Sequence, residues 1–281
     1  MKNGPGSFVK AILLAGFTAV VLIAIFARMM NEGIGHDENA YIGPGALLGQ
    51  YDLYRDISYV HLPNLAILLN FVLDDAAGYH FLVSRSVVFG CWIVFLAAFA
   101  ALSWRLSKSA LVAGLAVLLL ATNPLFVSRS GMLVATHLFP ICFATLGFLF
   151  FTIAVEHGKL RFLNAFACGV CLSLAAGFKG NYVIVIPPFA VAAFFLPRSI
   201  DLVHRLRSMV LPMALGGAIA GSPTIYYFLS DPDAFLFNTI GYFTGPHRLY
   251  WGDPLRADTV TGLTLAARIV QGYRLWSGGP T

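Results

Sequence analysis

The chain has 281 residues, of which 58% are hydrophobic and only 11% charged, and its formal net charge is +5. A soluble domain carries roughly 25% charged residues, so an ordinary water-soluble globule is excluded. The basic excess needs no nucleic acid, because basic loops on the inner side of a membrane account for it.

The few charges are clustered. No Asp, Glu, Lys or Arg falls between Lys10 and Arg28, Arg85 and Arg105, Lys108 and Arg129, or Arg129 and Glu156. The same holds between Arg161 and Lys179, Lys179 and Arg198, and Arg207 and Asp231. These gaps hold 17 to 26 residues each. A helix of ~20 residues crosses the ~30 Å hydrocarbon layer, and helices satisfy their own backbone groups inside lipid. The pattern predicts an all-α polytopic membrane helix bundle, one domain over 1–281 with about seven transmembrane helices. The predicted spans are 8–27, 81–103, 110–127, 132–155, 162–178, 182–196 and 209–229.

Lys2 and Lys10 precede the first apolar run, but no small-x-small cleavage site follows, so the run reads as a retained span. The long first outer loop, 28–80, opens with His36-Asp37-Glu38-Asn39-Ala40-Tyr41. Two acids just outside a bilayer are either substrate-handling groups or solvated loop charges. Gly43-Pro44-Gly45 predicts a broken or kinked helix. The apolar stretch 65–73, after Pro63, is too short to span and predicts an interfacial helix.

All four cysteines, Cys91, Cys142, Cys168 and Cys171, lie in predicted spans. Cys168-Gly169-Val170-Cys171 has the C-x-x-C form but no thioredoxin-like unit around it, so small packing residues are the expectation. Lys179 sits in a tight outer hairpin, either snorkelling at a helix end or meeting an anionic headgroup. Gly217-x-x-x-Gly221 is a helix-packing pattern in the seventh predicted span. The outer segment that follows, with Tyr242, Phe243, His247, Tyr250 and Trp251, suits an aromatic belt or sugar contacts.

With the N-terminus inside, the inner loops carry Lys2, Lys10, Arg105, Lys108, Lys159, Arg161, Arg198, Arg205 and Arg207. These lie in short loops beside span ends, where the positive-inside rule has force. Asp37 and Lys179 then both face outward.

Three stretches carry a resemblance to a known family: Asp37-Glu38-Asn39-Ala40-Tyr41, the run from Leu53-Tyr54-Arg55-Asp56 to His61-Leu62-Pro63, and Gly177-Phe178-Lys179-Gly180. Asn123-Pro124 followed by Ser128-Arg129-Ser130 fits a further loop. In order and spacing the chain resembles the polyprenyl-phosphate-sugar-dependent membrane glycosyltransferases of the C superfamily. Within it, the bacterial relatives of protein mannosyltransferases and lipid A aminoarabinose transferases are the most similar.

The resemblance implies a hexosyl or pentosyl glycosyltransferase of the bacterial inner (plasma) membrane, with its active site facing outward. The partners implied are a lipid-linked sugar donor, membrane lipid, and a glycan, lipid or protein acceptor. It also implies Asp37 as catalytic base, with Glu38, Tyr41, His61, Arg129 and Lys179 binding substrate. Asp37, Glu38 and His61 are residue types that suit a divalent metal. No close-spaced ligand pair demands one, so no cofactor and no metal site are expected. Such enzymes usually carry further spans, so the chain is expected to lack its C-terminal ones. Two alternatives stand beside this expectation. One is a non-catalytic fragment or subunit of a split glycosyltransferase. The other is a lipid-carrier transporter or flippase, which would call for ionisable groups at mid-bilayer.

Overall fold

The computed structural model describes the backbone of residues 5–251, apart from 75, 125 and 157, together with 266, 269, 270 and 273; the side chains of 5–15, 36, 129, 130, 250 and 251 lie outside the description. Among the described residues every regular element is helical, and the one β-bridge, Leu53 to Ile57, is isolated. Helix α1 (Pro5–Asn31) is followed by α2 (His36–Leu47), α3 (Asn64–Leu73), α4 (His80–Ser107) and α5 (Ala110–Ala121). A short α6 (Arg129–Met132) precedes α7 (Leu138–Glu156) and α8 (Arg161–Phe178). A 3-10 segment, Gly180–Val185, leads into α9 (Ile186–Phe195). Helix α10 (Leu202–Arg205), a π turn (Leu206–Val210) and α11 (Leu211–Ser230) run on as one rod. The short α12 (Pro232–Leu236), a second π turn (Phe237–Gly241), α13 (Tyr242–Thr244) and α14 (Pro246–Trp251) follow.

Four helices are long and apolar enough to cross a membrane: His80–Ser107, Leu138–Glu156, Arg161–Phe178 and Leu202–Ser230. They match the second, fourth, fifth and seventh predicted spans. The described apolar part of α1, Gly16–Asn31, and the helices Ala110–Ala121 and Gly180–Phe195 are shorter. Helix α5 stops where Thr122-Asn123-Pro124 begins, since proline disfavours helix in the residue before it. The sixth predicted span opens as a 3-10 segment because Pro187 and Pro188 supply no N–H to the turn before them. Leu111, Leu115 and Leu119 lie exposed along one face of α5, a stripe suited to lipid.

Two expectations are corrected. The fourth predicted span does not begin at Met132: residues 133–137 are non-helical, and α7 starts at Leu138 with Pro140 in its first turn. Of the break or kink expected at Gly43-Pro44-Gly45, the break does not occur, because α2 continues through Pro44 to Leu47. Gly45 is needed there. A Cβ at that position would meet Leu69 Cβ at 2.5 Å, so glycine lets α2 lie close on α3.

Helix α8 is the central post, packed by α7 on one side and α11 on the other. Phe151, Ala154, Ala165, Cys168, Leu172, Met209 and Met213 fill the seams. The tight approach uses Gly169 and Gly216. A Cβ on Gly169 would overlap the Met213 carbonyl, and one on Gly216 the Phe166 carbonyl, whereas Gly217 has only ordinary contact. Cys168 and Cys171 are buried free thiols on this helix. Cys168 Sγ lies 3.8 Å from Met213 Sδ.

Gly169→Ala is therefore expected to destabilise the chain by about 1–3 kcal/mol through overpacking. The measurement is the unfolding midpoint in detergent. Gly114→Ala is the control: nothing lies within 4 Å of a Cβ at that helical position, and it should hold or raise the midpoint.

A larger core gathers the end of α1, α2, α3, the N-terminal half of α4 and the 132–143 segment. Phe178 joins it, stacked on Phe139 and Phe143 with ring centroids 5.0 and 5.4 Å away. This core carries the site.

Candidate functional site

The link from α1 to α2 is built on one buried ion pair. Glu38 is 0% exposed and Arg85, in the second turn of α4, is 6% exposed. Arg85 Nε donates to Glu38 Oε1 at 3.0 Å and its Nη2 to Oε2 at 2.7 Å, a two-pronged contact. The remaining donors go to the carbonyls of Met29, Glu32 and Gly33 at the end of α1. All five guanidinium N–H groups are thus used, and the cation also complements the negative end of α1. Glu38 further accepts the N–H of Gly35 and the N–H of Val134, both at 3.1 Å. Burial would raise the Glu38 carboxyl, but Arg85 and these two N–H groups outweigh it and hold it below the usual carboxylate range.

Glu38, expected at the substrate, therefore lies inside the fold with both oxygens occupied. Its neighbour Asp37 is exposed on the first turn of α2. The inner acid locks the loop and the outer acid is presented to the surface.

Residues 133–137 form the facing wall. Trp92 Nε1 donates to the Gly131 carbonyl at 2.8 Å, and Val134 donates to Glu38. Thr136 Oγ1 lies 3.3 Å from Tyr41 Oη, which lies 3.0 Å from His61 Nε2. If Thr136 donates to Tyr41 and Tyr41 to His61, each group is satisfied and His61 keeps its proton on Nδ1. Burial, then Lys179 and His137, push the His61 pKa down to about 4 against the opposing pull of Asp37. Burial and Lys179 likewise lower that of His137, again opposed by Asp37. Two imidazoles, Asp37 and Lys179 therefore share one electrostatic neighbourhood, and both imidazoles are neutral near pH 7.

Lys179 caps α8 in an extended conformation. Two contacts hold it there: the Phe178 stack, and Gly177, where a Cβ would overlap the Asn64 side chain. Burial lowers the Lys179 ammonium from its usual range. No carboxylate pairs with it among the described residues.

A cleft of about 400 Å³ opens beside this group, lined by Ala40, Pro44, Ser58, Tyr59, Val60, His61 and Tyr242. Pro44 has no N–H for the Ala40 carbonyl, so the cleft wall carries a backbone acceptor without its helical partner. The floor is held by Asn238, 4% exposed. Its Oδ1 accepts from Ser58 Oγ at 2.8 Å and from the Tyr59 N–H at 3.2 Å. Its Nδ2 donates to the Tyr54 carbonyl at 3.2 Å. Tyr54 takes a left-handed backbone, φ 74°, and its hydroxyl donates to the His61 carbonyl at 2.7 Å.

Of the residues singled out in the sequence, Asp37, Tyr41, His61 and Lys179 come together. Arg129 opens α6, but its side chain lies outside the described residues. Arg85, Thr136, His137 and Asn238 were not foreseen. Arg85 carried a signal, an arginine inside an apolar span; the other three carried none. Among the described residues no three His, Cys, Asp or Glu side chains gather as a metal site. No protein-family model matches the chain, and no curated protein matches it.

Acid should weaken this region. His61 and His137 bind fewer protons folded than unfolded, so their contribution is full above about pH 6.5. For His61 it is lost as pH falls towards about 4. Glu38, with its lowered carboxyl, loses its contribution at still more acid pH. Unfolding midpoints measured from pH 7.5 to pH 4.5 are expected to fall, and His61→Gln should flatten the slope.

Proposed function

We propose that the chain transfers a sugar from a polyprenyl-phosphate donor to an acceptor hydroxyl at the outer membrane face. The observation that carries this reading is a convergence of three segments: Asp37 lies one turn before Tyr41, Tyr41 Oη is 3.0 Å from His61 Nε2, and Gly180, next to Lys179, lies against Leu62, next to His61. On this reading Asp37 is the base and Lys179 the cation, beside the cleft that His61 lines. The acceptor oxygen attacks the anomeric carbon as its proton passes to Asp37. The bond from that carbon to the phosphate oxygen breaks, and the phosphate leaves carrying the charge, which Lys179 stabilises. Tyr41 and His61 form the wall against which the sugar sits.

Enzyme class, bacterial plasma membrane and outward-facing site belong to the same proposal, which the motif resemblance also supports. The charged residues of the four long helices lie near their ends, as with Arg85, Arg105, Glu156, Arg161 and Arg205. That favours a transferase over a carrier with mid-span ionisable groups.

The test is to incubate membranes containing the chain with labelled lipid-linked sugars. A labelled product that depends on Asp37 is expected. Product formation equal to that of membranes without the chain would reject the reading.

A further inference from the structure

His137 stands out within the wall of the site. From Gly131 to Pro140 every residue is buried except His137, which is exposed. It does not hang on a free loop. Trp92 holds Gly131, Glu38 holds Val134, Tyr41 meets Thr136, and Phe139 stacks on Phe178. The last contact matters most, because Phe139 lies two residues after His137 and Phe178 one residue before Lys179. The same ring stack therefore brings the two segments side by side, and Lys179 lies within electrostatic reach of His137. Lys179 meanwhile has no carboxylate partner among the described residues. A half-buried ammonium with no carboxylate bonded to it among the described residues, beside an exposed imidazole on a braced wall, is a seat for an anion.

Resting on the proposed function, we propose that His137 contacts the phosphate of the lipid donor together with Lys179. A neutral imidazole offers this anion one N–H donor and adds no repulsion to Lys179. The lysine supplies a point charge and the imidazole a direction. Asp37 belongs to α2 and Lys179 to the end of α8, so base and phosphate contact come from different elements.

The test is direct binding of a polyprenyl monophosphate to the full chain in nanodiscs of zwitterionic lipid, with inorganic phosphate as competitor. Wild type is expected to bind the lipid phosphate, with inorganic phosphate competing poorly. His137→Leu, which removes the ring N–H, and Lys179→Met should each weaken binding about tenfold or more. His137→Asn, which returns a short N–H donor, should recover part of the loss at an unchanged unfolding midpoint. Asp37→Asn should bind like wild type. If both His137 variants bind like wild type while Lys179→Met is weakened, His137 is no phosphate contact and the proposed function stands. If wild type itself fails to bind, the proposed function falls with it. If inorganic phosphate competes as well as the lipid, the seat belongs to free phosphate and the lipid assignment is overturned.

Discussion

Asp37→Asn is expected to abolish sugar transfer, with a loss of at least about 100-fold, while the chain still inserts and folds. A positioned base contributes roughly 10²–10⁴-fold. Asparagine keeps the shape of the side chain but cannot take the acceptor's proton. The fold should not notice, because Asp37 is exposed and the loop around it is held by Glu38. The measurement is the initial rate with labelled donor at saturating acceptor, read beside the unfolding midpoint. Transfer at the normal rate would remove Asp37 as base. Loss of rate together with a lower midpoint would instead mark it as a structural residue.

Arg85→Met is expected to have the largest effect on stability. It leaves the Glu38 carboxylate buried without its cation and strands three carbonyls at the end of α1. Removing one partner of a buried pair costs about 3–5 kcal/mol. That is a large part of the roughly 5–15 kcal/mol that holds a typical domain together. The double variant Glu38→Gln/Arg85→Met should recover a measurable share, since no charge is then buried alone. Arg85→Lys should fall between, because an ammonium cannot reproduce five directed N–H bonds. Unfolding midpoints of these variants in detergent check the series. Equal midpoints for Arg85→Met and wild type would show that the pair does not hold the loop.

The helical class was legible because charge-free gaps of span length leave little else possible in lipid. Asp37, Tyr41, His61 and Lys179 were legible because each lies in a short polar motif bounded by apolar runs. The 133–137 wall was not. Met132-Leu133-Val134-Ala135 is as apolar as a span, and composition does not separate residues facing lipid from residues buried in protein. Pro140 was the one local hint that a helix begins afresh there. The passage of α2 through Pro44 was hidden for another reason. Past the proline the helix lies close on α3, with Gly45 against Leu69, a contact between segments that no local pattern displays. Asn238 looks like one polar residue in an aromatic stretch, and its four hydrogen bonds become visible only when distant loops meet.

That asparagine also sets an order of assembly. Its partner Ser58 lies 180 positions earlier in the chain, so the stretch holding Tyr54 and Tyr59 is synthesised long before Asn238 can fasten it. Domains form from the N-terminal end as the nascent chain emerges, and contacts of such separation close late. The long helices can thus be threaded into the bilayer while the pocket is still slack. A ribosome stalled before Asn238 would leave a protein whose long helices are made but whose Ser58–Tyr59 cradle is unfinished.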